Sequence, residues 1–131
     1  MSAWKAYLAV GAGSGLGSVL RYGVSLGAFA TLGDAFPWGT LAVNVLGSCL
    51  IGWLAATISR SPHSSMARWQ PAWVAGFCGG FTTFSLFSLE TMHFIAQDQV
   101  GIALIYVSVS LPLWLLAAIV GERIALAHRQ P

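Results

Sequence analysis

The segment from Gly76 to Glu90 holds the side chains of this sequence that are best suited to binding a small ion. It reads GFCGGFTTFSLFSLE, so phenyl rings and hydroxyl groups follow a pair of glycines. On a helix, Phe84 and Phe87 would project on one side, beside a stripe of hydroxyls. Ring edges are the positive part of the aromatic quadrupole, and hydroxyls are neutral hydrogen-bond donors. Together they could solvate a small anion without a fixed positive charge, although a phenylalanine stripe also suits plain packing.

Further polar positions, in this segment and in the last apolar stretch of the chain, extend this set of rings and hydroxyls. Thr83, Phe87 and Glu90 have the spacing of one helix face. The remaining polar positions also pair at helical spacing, Ser85 with Ser88 and Tyr106 with Ser110. These side chains are therefore expected to stand in adjacent stripes.

Three polar or charged residues lie inside apolar stretches of the chain: Arg21, Asn44 and Glu90. Because such groups are costly in lipid, they are candidates for function. The Asn44 amide would add another neutral donor for an anion. Two other interpretations stay open: Asn44 could join two helices through a hydrogen bond, and Glu90 could pair with Arg21.

The elements that position these residues must lie in lipid, because the composition does not suit a water-facing surface. The 131 residues are 56% hydrophobic and 8% charged, with a mean hydropathy of +0.74, whereas soluble domains have about 25% charged residues. A helix needs roughly 20 apolar residues to cross the bilayer. The sequence therefore predicts one all-α membrane domain with four transmembrane helices, at about 4–32, 38–59, 71–96 and 100–126.

The third predicted helix is expected to break near its middle. Gly79, Gly80, Thr82 and Thr83 are poor helix formers. Irregular backbone at membrane depth is tolerated only where it is buried in protein or lines a wet cavity. The carbonyl groups that such a break frees could coordinate a small cation.

Charge and motifs exclude several other classes of protein. The net charge is +2, and no basic run is longer than one residue, which argues against a nucleic-acid surface. The glycines from Gly11 to Gly17 miss the GxGxxG spacing of a dinucleotide site. The three histidines, His63, His93 and His128, lack a metal-ligand spacing. No nucleophile and base pair is visible, so the chain is not expected to be an enzyme.

Small residues and basic residues indicate how the predicted helices associate and insert. Pairs such as Gly11 with Gly15 and Gly13 with Gly17 favour close helix packing in lipid, and a homodimer is expected. Five basic residues fall on one side of the predicted helices: Lys5, Arg60, Arg68, Arg123 and Arg129. The positive-inside rule then places both termini in the cytoplasm.

The chain resembles the bacterial Fluc (CrcB) family of fluoride channels in three motifs. Residues 76–90 match the family pattern GFCGGxTTFSxFSxE at every specified position. Residues 39–48, GTLAVNVLGS, match the second motif, and residues 17–22, GSVLRY, match the first. Together the matches extend over essentially the whole chain.

The resemblance implies a passive, fluoride-selective channel that exports cytoplasmic fluoride across the bacterial inner membrane. It implies an antiparallel, dual-topology homodimer with two pores, a central structural sodium ion at the dimer interface and no organic cofactor. Arg21 would stand at the aqueous vestibule, and Gly79 and Thr82 would offer backbone carbonyls to sodium. The residues implied for the fluoride pore are Thr40, Asn44, Thr83, Phe84, Ser85, Phe87, Ser88, Glu90, Tyr106 and Ser110.

Alternatives remain for the partner and for the function. The bias of basic residues toward one side is stronger than a dual-topology protein should show. Three explanations stay open beside the expected homodimer: the bias is overridden, Arg21 and the helix ends offset it, or the chain pairs with an oppositely biased partner. A proton-coupled exporter of small molecules, in which Glu90 carries the proton, is the second functional hypothesis. An accessory subunit of a larger complex is the third.

Overall fold

The computed structural model describes residues 1–128, and Arg129 lies outside that range. Helices account for nearly all of the described residues, as the predicted all-α class requires. Six elements follow one another: α1 (Ala3–Leu32), α2 (Trp38–Arg60), α3 (Ser65–Arg68), α4 (71–81), α5 (Ser85–Ala96) and α6 (Val100–Ala127). Within α4, Pro71–Cys78 is a π-helix and Gly79–Phe81 is α-helical.

The third apolar stretch is interrupted between α4 and α5, which confirms the predicted break. Thr82 has an extended backbone with φ −86° and ψ 160°, and residues 82–84 belong to neither helix. The two glycines are not where the helix stops, since Gly79 and Gly80 stay helical. Gly80 instead permits close packing, because a Cβ there would collide with the backbone of Ser14 in α1.

Two closely packed helix pairs build the bundle. α1 packs along α4, and α2 packs along α6, while α5 lies against α6. Glycine permits both close approaches: a Cβ on Gly17 would collide with the Phe77 carbonyl, and one on Gly121 with the Cys49 carbonyl. The bundle therefore holds the interrupted stretch between α1 on one side and the α2–α6 pair on the other.

Three helical stretches are long and apolar enough to cross a membrane: Trp38–Arg60, Pro71–Ala96 and Val100–Ala127. α1 is 30 residues long, so its length would suffice, but six glycines, three serines and two basic residues lower its hydropathy. The chain is thus built as a multi-pass membrane protein. A fourth crossing by α1 stays a prediction.

The two ends of the bundle differ in charge. At one end, the turns at 33–37 and 97–99 border a common cavity and contain Asp34 and Asp98 without any lysine or arginine. At the other end, the Arg60 guanidinium donates to the Ala125 carbonyl at 3.0 Å. That carbonyl belongs to the last turn of α6, where a cation is favourable.

Candidate functional site

Asn44 of α2 holds the interrupted backbone between α4 and α5. Its Nδ2 donates to the Thr83 carbonyl at 2.8 Å, and its Oδ1 accepts from the Thr83 N–H at 2.7 Å. Asn44 is 4% exposed and Thr83 is 8% exposed, so water does not compete for these bonds. Asn44 thus joins two parts of the bundle, as one sequence interpretation expected. The second hydrogen on Nδ2 takes part in neither of these bonds and can be donated to a further acceptor.

Two carbonyl groups at the break lose their helical partners. In a continuous helix the Gly79 carbonyl would accept the Thr83 N–H, which instead donates to Asn44. The Thr82 carbonyl would accept the Leu86 N–H, which instead donates to the Thr83 hydroxyl at 3.1 Å. Gly79 is exposed and Thr82 is half-buried. Because freed carbonyls at a broken helix are suitable ligands for sodium, these two groups fit the ion that the resemblance implies.

A third carbonyl at the break, that of Gly80, is bound by α1. Arg21 Nε donates to it at 3.2 Å, and the Ser18 hydroxyl donates at 3.4 Å. Arg21 therefore binds backbone at the break and does not pair with Glu90. Arg21 does not line either of the two cavities described below, so its predicted vestibule position stays a prediction.

The Glu90 carboxylate is bound by hydroxyls from two other helices. Its Oε1 accepts from Thr40 of α2, and its Oε2 accepts from Tyr106 of α6, both at 2.6 Å. Thr40 is 2% exposed and Tyr106 is 0% exposed, whereas Glu90 is half-buried. Hydrogen bonds to a carboxylate are the stronger ones, so this cluster ties α5 to α2 and α6.

Thr40→Val is expected to lower the free energy of unfolding by about 1–3 kcal/mol, because a bond to a carboxylate is lost without a change of shape. Thr57→Val is the matched control in α2, since the Thr57 hydroxyl donates only to the Trp53 carbonyl one turn earlier. Chemical unfolding in detergent compares the two variants. Equal losses would contradict a special role for the bond to Glu90.

Phe84 and Phe87 lie side by side but differ in their surroundings. Their ring centroids are 5.5 Å apart, with an interplanar angle of 45°. Phe87 is 4% exposed and meets Tyr106 and Trp114 edge-on, at 4.9 and 4.8 Å. Phe84 is 67% exposed. Phe87 is thus part of the packed core of the chain, whereas Phe84 presents its ring outward.

The predicted serine positions fall into different environments. Ser85 is exposed, with its hydroxyl 3.4 Å from that of Thr83. The Ser88 hydroxyl donates to the Phe84 carbonyl at 2.9 Å. Ser110 of α6 is completely buried and has no hydrogen-bond partner within residues 1–128. Of the three serines, only Ser110 is buried.

Two cavities are lined by different residues of the site. One of 790 Å³ lies at the end that carries the turns 33–37 and 97–99, and Thr40 and Glu90 line it. The other, of 190 Å³, lies at the break, and its lining includes Asn44, Thr83, Phe84 and Trp114. Phe87 lines neither cavity, but its ring contacts Tyr106, which binds Glu90, and also Trp114. Phe87 therefore stands between the residues of the two cavities.

Sequence reasoning missed two aromatic residues of this site. The Phe36 ring lies 5.3 Å from that of Tyr106, and the Trp114 ring lies 4.8 Å from that of Phe87. Trp114 follows Tyr106 by eight residues, a spacing that keeps both on one helix face and could have indicated it. Phe36 belongs to a turn, where no periodicity gives such a signal.

Comparison with known proteins supports a single family. The family model described as CrcB-like protein, Camphor Resistance (CrcB), matches residues 8–122. A fluoride-specific ion channel FluC of Rhizobium meliloti is 46% identical over 114 residues, which are 87% of this chain and 90% of that protein. FluC 1 of Nitrobacter hamburgensis is 42% identical over 92% of this chain and 95% of its own length. FluC of Caulobacter vibrioides is 41% identical over 90% and 93%. The chain therefore belongs to the CrcB-like protein family.

Proposed function

We propose that the chain forms a passive, fluoride-selective ion channel that exports cytoplasmic fluoride. The observation that carries the proposal is the similarity of nearly the whole chain to proteins named fluoride-specific ion channels, at 41–46% identity. The matched region of the family model, residues 8–122, includes every candidate pore residue. The groups that line the break are also of a chemical kind that suits fluoride.

The lining of the 190 Å³ cavity at the break suits fluoride because its side chains offer donors and none of them is charged. The Asn44 amide, hydroxyls beside Thr83 and the ring edge of Phe84 are all neutral groups with a positive end. Fluoride is small and accepts strong hydrogen bonds, whereas chloride is larger and accepts weaker ones. Conduction also requires that an ion can leave, and neutral donors bind it less tightly than a lysine or arginine would.

Passive flow is sufficient for export. Hydrogen fluoride crosses lipid as a neutral acid and dissociates in the cytoplasm, where the anion is trapped. A membrane potential that is negative inside then drives the anion outward, with about 2.3 kcal/mol per elementary charge for each 100 mV. No separate energy source is needed for this direction of transport.

We further propose an antiparallel, dual-topology homodimer in the bacterial inner membrane, with two pores. Phe84 is 67% exposed, and the cavity beside it is open to the surface of the protomer, so one chain leaves the path incomplete. Gly79 is exposed on the surface of the chain, where an ion shared with a second copy would reach it. Sodium held by the Gly79 and Thr82 carbonyls would supply a positive charge that fixes the two breaks against each other.

Purified protein in liposomes loaded with fluoride is expected to release it, as read by a fluoride electrode, once an ionophore for potassium compensates the charge. Liposomes without protein give the background, and liposomes loaded with chloride test selectivity. Fluoride release at the background rate would reject the channel function. Equal release of chloride would reject the selectivity.

The proton-coupled exporter is not favoured by these comparisons. The relatives are named as channels, and both oxygens of Glu90 already accept hydroxyl hydrogen bonds. Transport that required a proton gradient and carried bulky cations would restore that hypothesis. The same liposomes, with and without a pH gradient, make this measurement.

A further inference from the structure

Two donors on α6 have no hydrogen-bond partner within residues 1–128: the Ser110 hydroxyl and the Trp114 indole N–H. Both groups are buried, and Ser110 is 0% exposed. They are four residues apart, so they lie on one face of the helix. A buried donor without an acceptor has a free-energy cost, and this cost is removed by an acceptor from outside the chain.

The Ser110 hydroxyl differs from other hydroxyls of these helices. Thr57 donates to the Trp53 carbonyl one turn earlier, and Thr91 donates to the Phe87 carbonyl in the same way, both at 2.8 Å. Such local bonds are the usual solution for a hydroxyl inside a helix. Because Ser110 makes no bond of this kind, its donor stays available to a ligand.

Trp114 adds a group that can only donate, because the indole nitrogen is not an acceptor. Its ring meets Phe87 edge-on, and Phe87 meets Tyr106 in the same manner. Ser110 is four residues from both Tyr106 and Trp114, so it shares the face of α6 that Phe87 contacts through these two rings. Trp114 also lines the 190 Å³ cavity at the break, together with Asn44.

From these contacts we propose that the Trp114 N–H is a further donor to the permeating anion and forms a second anion position at the 190 Å³ cavity, on the far side of Phe87 from Tyr106. Ser110, which the resemblance already implies for the pore, would lie beside it. This inference rests on the proposed function. Fluoride that has passed the edge of Phe87 would meet two neutral donors in succession, whereas a cation would meet an N–H that repels it. Trp114 is thus a residue that determines specificity for a small, strongly accepting anion.

Trp114→Phe removes the N–H and keeps a ring against Phe87. We expect fluoride efflux from liposomes to fall about tenfold, the usual effect of one lost hydrogen bond to an anion. Melting temperature and dimer content in chloride should match those of the unmodified protein. Trp53→Phe is the matched control, since Trp53 is another half-buried tryptophan of a spanning helix. Its efflux should be unchanged, while Ser110→Ala should reduce efflux as Trp114→Phe does.

A second measurement observes the N–H in the unmodified protein. The chain has six tryptophans, so labelling with ¹⁵N-tryptophan gives one indole signal for each. Titration with fluoride at constant ionic strength should shift the Trp114 signal, and titration with chloride should not. Trp114→Phe assigns the signal; if that variant does not fold, the other five single Trp→Phe variants assign it by elimination.

The possible outcomes separate this inference from the function on which it rests. An unmodified protein that passes no fluoride rejects the channel itself. A conducting protein whose Trp114→Phe variant has normal efflux and whose indole signal ignores fluoride overturns the second anion position alone. An equal shift of the Trp114 indole signal with chloride also overturns it. So does a Trp114→Phe variant that forms less dimer but keeps the same efflux per dimer, because that result would assign the N–H to the dimer interface.

Discussion

Asn44→Leu is expected to abolish fluoride efflux and to lower the free energy of unfolding by about 2–5 kcal/mol, since the buried N–H and carbonyl of Thr83 both lose their partner. Leucine has the same branched shape as asparagine and is somewhat larger, so no cavity contributes to the loss. The two bonds, at 2.8 and 2.7 Å, are those that hold the backbone open between α4 and α5. Without them, the freed carbonyls and the hydroxyl of Thr83 would no longer have fixed positions. Chemical unfolding and liposome efflux measure the two effects.

Ser48→Ala is the control for this variant. Ser48 lies one turn after Asn44 in α2, is half-buried and lines the same cavity. Its removal tests whether any loss of a polar group at this cavity destabilises the break, and we expect a change within about 0.5 kcal/mol. A stable Asn44→Leu variant would show that the break does not depend on the amide. A destabilised variant with normal efflux would remove Asn44 from the ion path.

The position of the break illustrates what local propensity can and cannot predict. Gly79, Gly80, Thr82 and Thr83 indicated an interruption, and the structure has one at Thr82. The glycines themselves stay helical, and the absence of a side chain at Gly80 lets α4 pack closely against Ser14 of α1. Helix propensity alone treats both glycines as helix breakers, whereas in the fold Gly80 is a point of close contact between α4 and α1.

The partners of the candidate residues could not be read from periodicity. Glu90 binds Thr40 across 50 positions of sequence and Tyr106 across 16, through three different helices. Helical spacing predicts which residues share a face, but it does not say which faces meet. The sequence therefore identified Glu90 as a costly intramembrane carboxylate and left pairing with Arg21 open. The structure assigns Arg21 to the Gly80 carbonyl instead.

Phe84→Ile and Phe87→Ile are both expected to reduce fluoride efflux at least about tenfold, which corresponds to a loss of about 1.4 kcal/mol of anion stabilisation. Each variant removes a ring edge and leaves an apolar side chain. Their effects on stability should differ. Phe87→Ile should lower the free energy of unfolding by about 2–4 kcal/mol, because its ring is buried and meets two aromatic neighbours edge-on.

Phe84→Ile is the more decisive of the two variants, because Phe84 is 67% exposed and packs against little of the chain. Its effect on the stability of the chain should stay within about 0.5 kcal/mol. Any loss of efflux then reports on the ion path and not on the fold. Phe84→Tyr keeps the ring and serves as the matched control, with efflux close to that of the unmodified protein. Normal efflux in Phe84→Ile would reject ring edges as part of the proposed pore and leave the hydroxyls and the Asn44 amide as its donors.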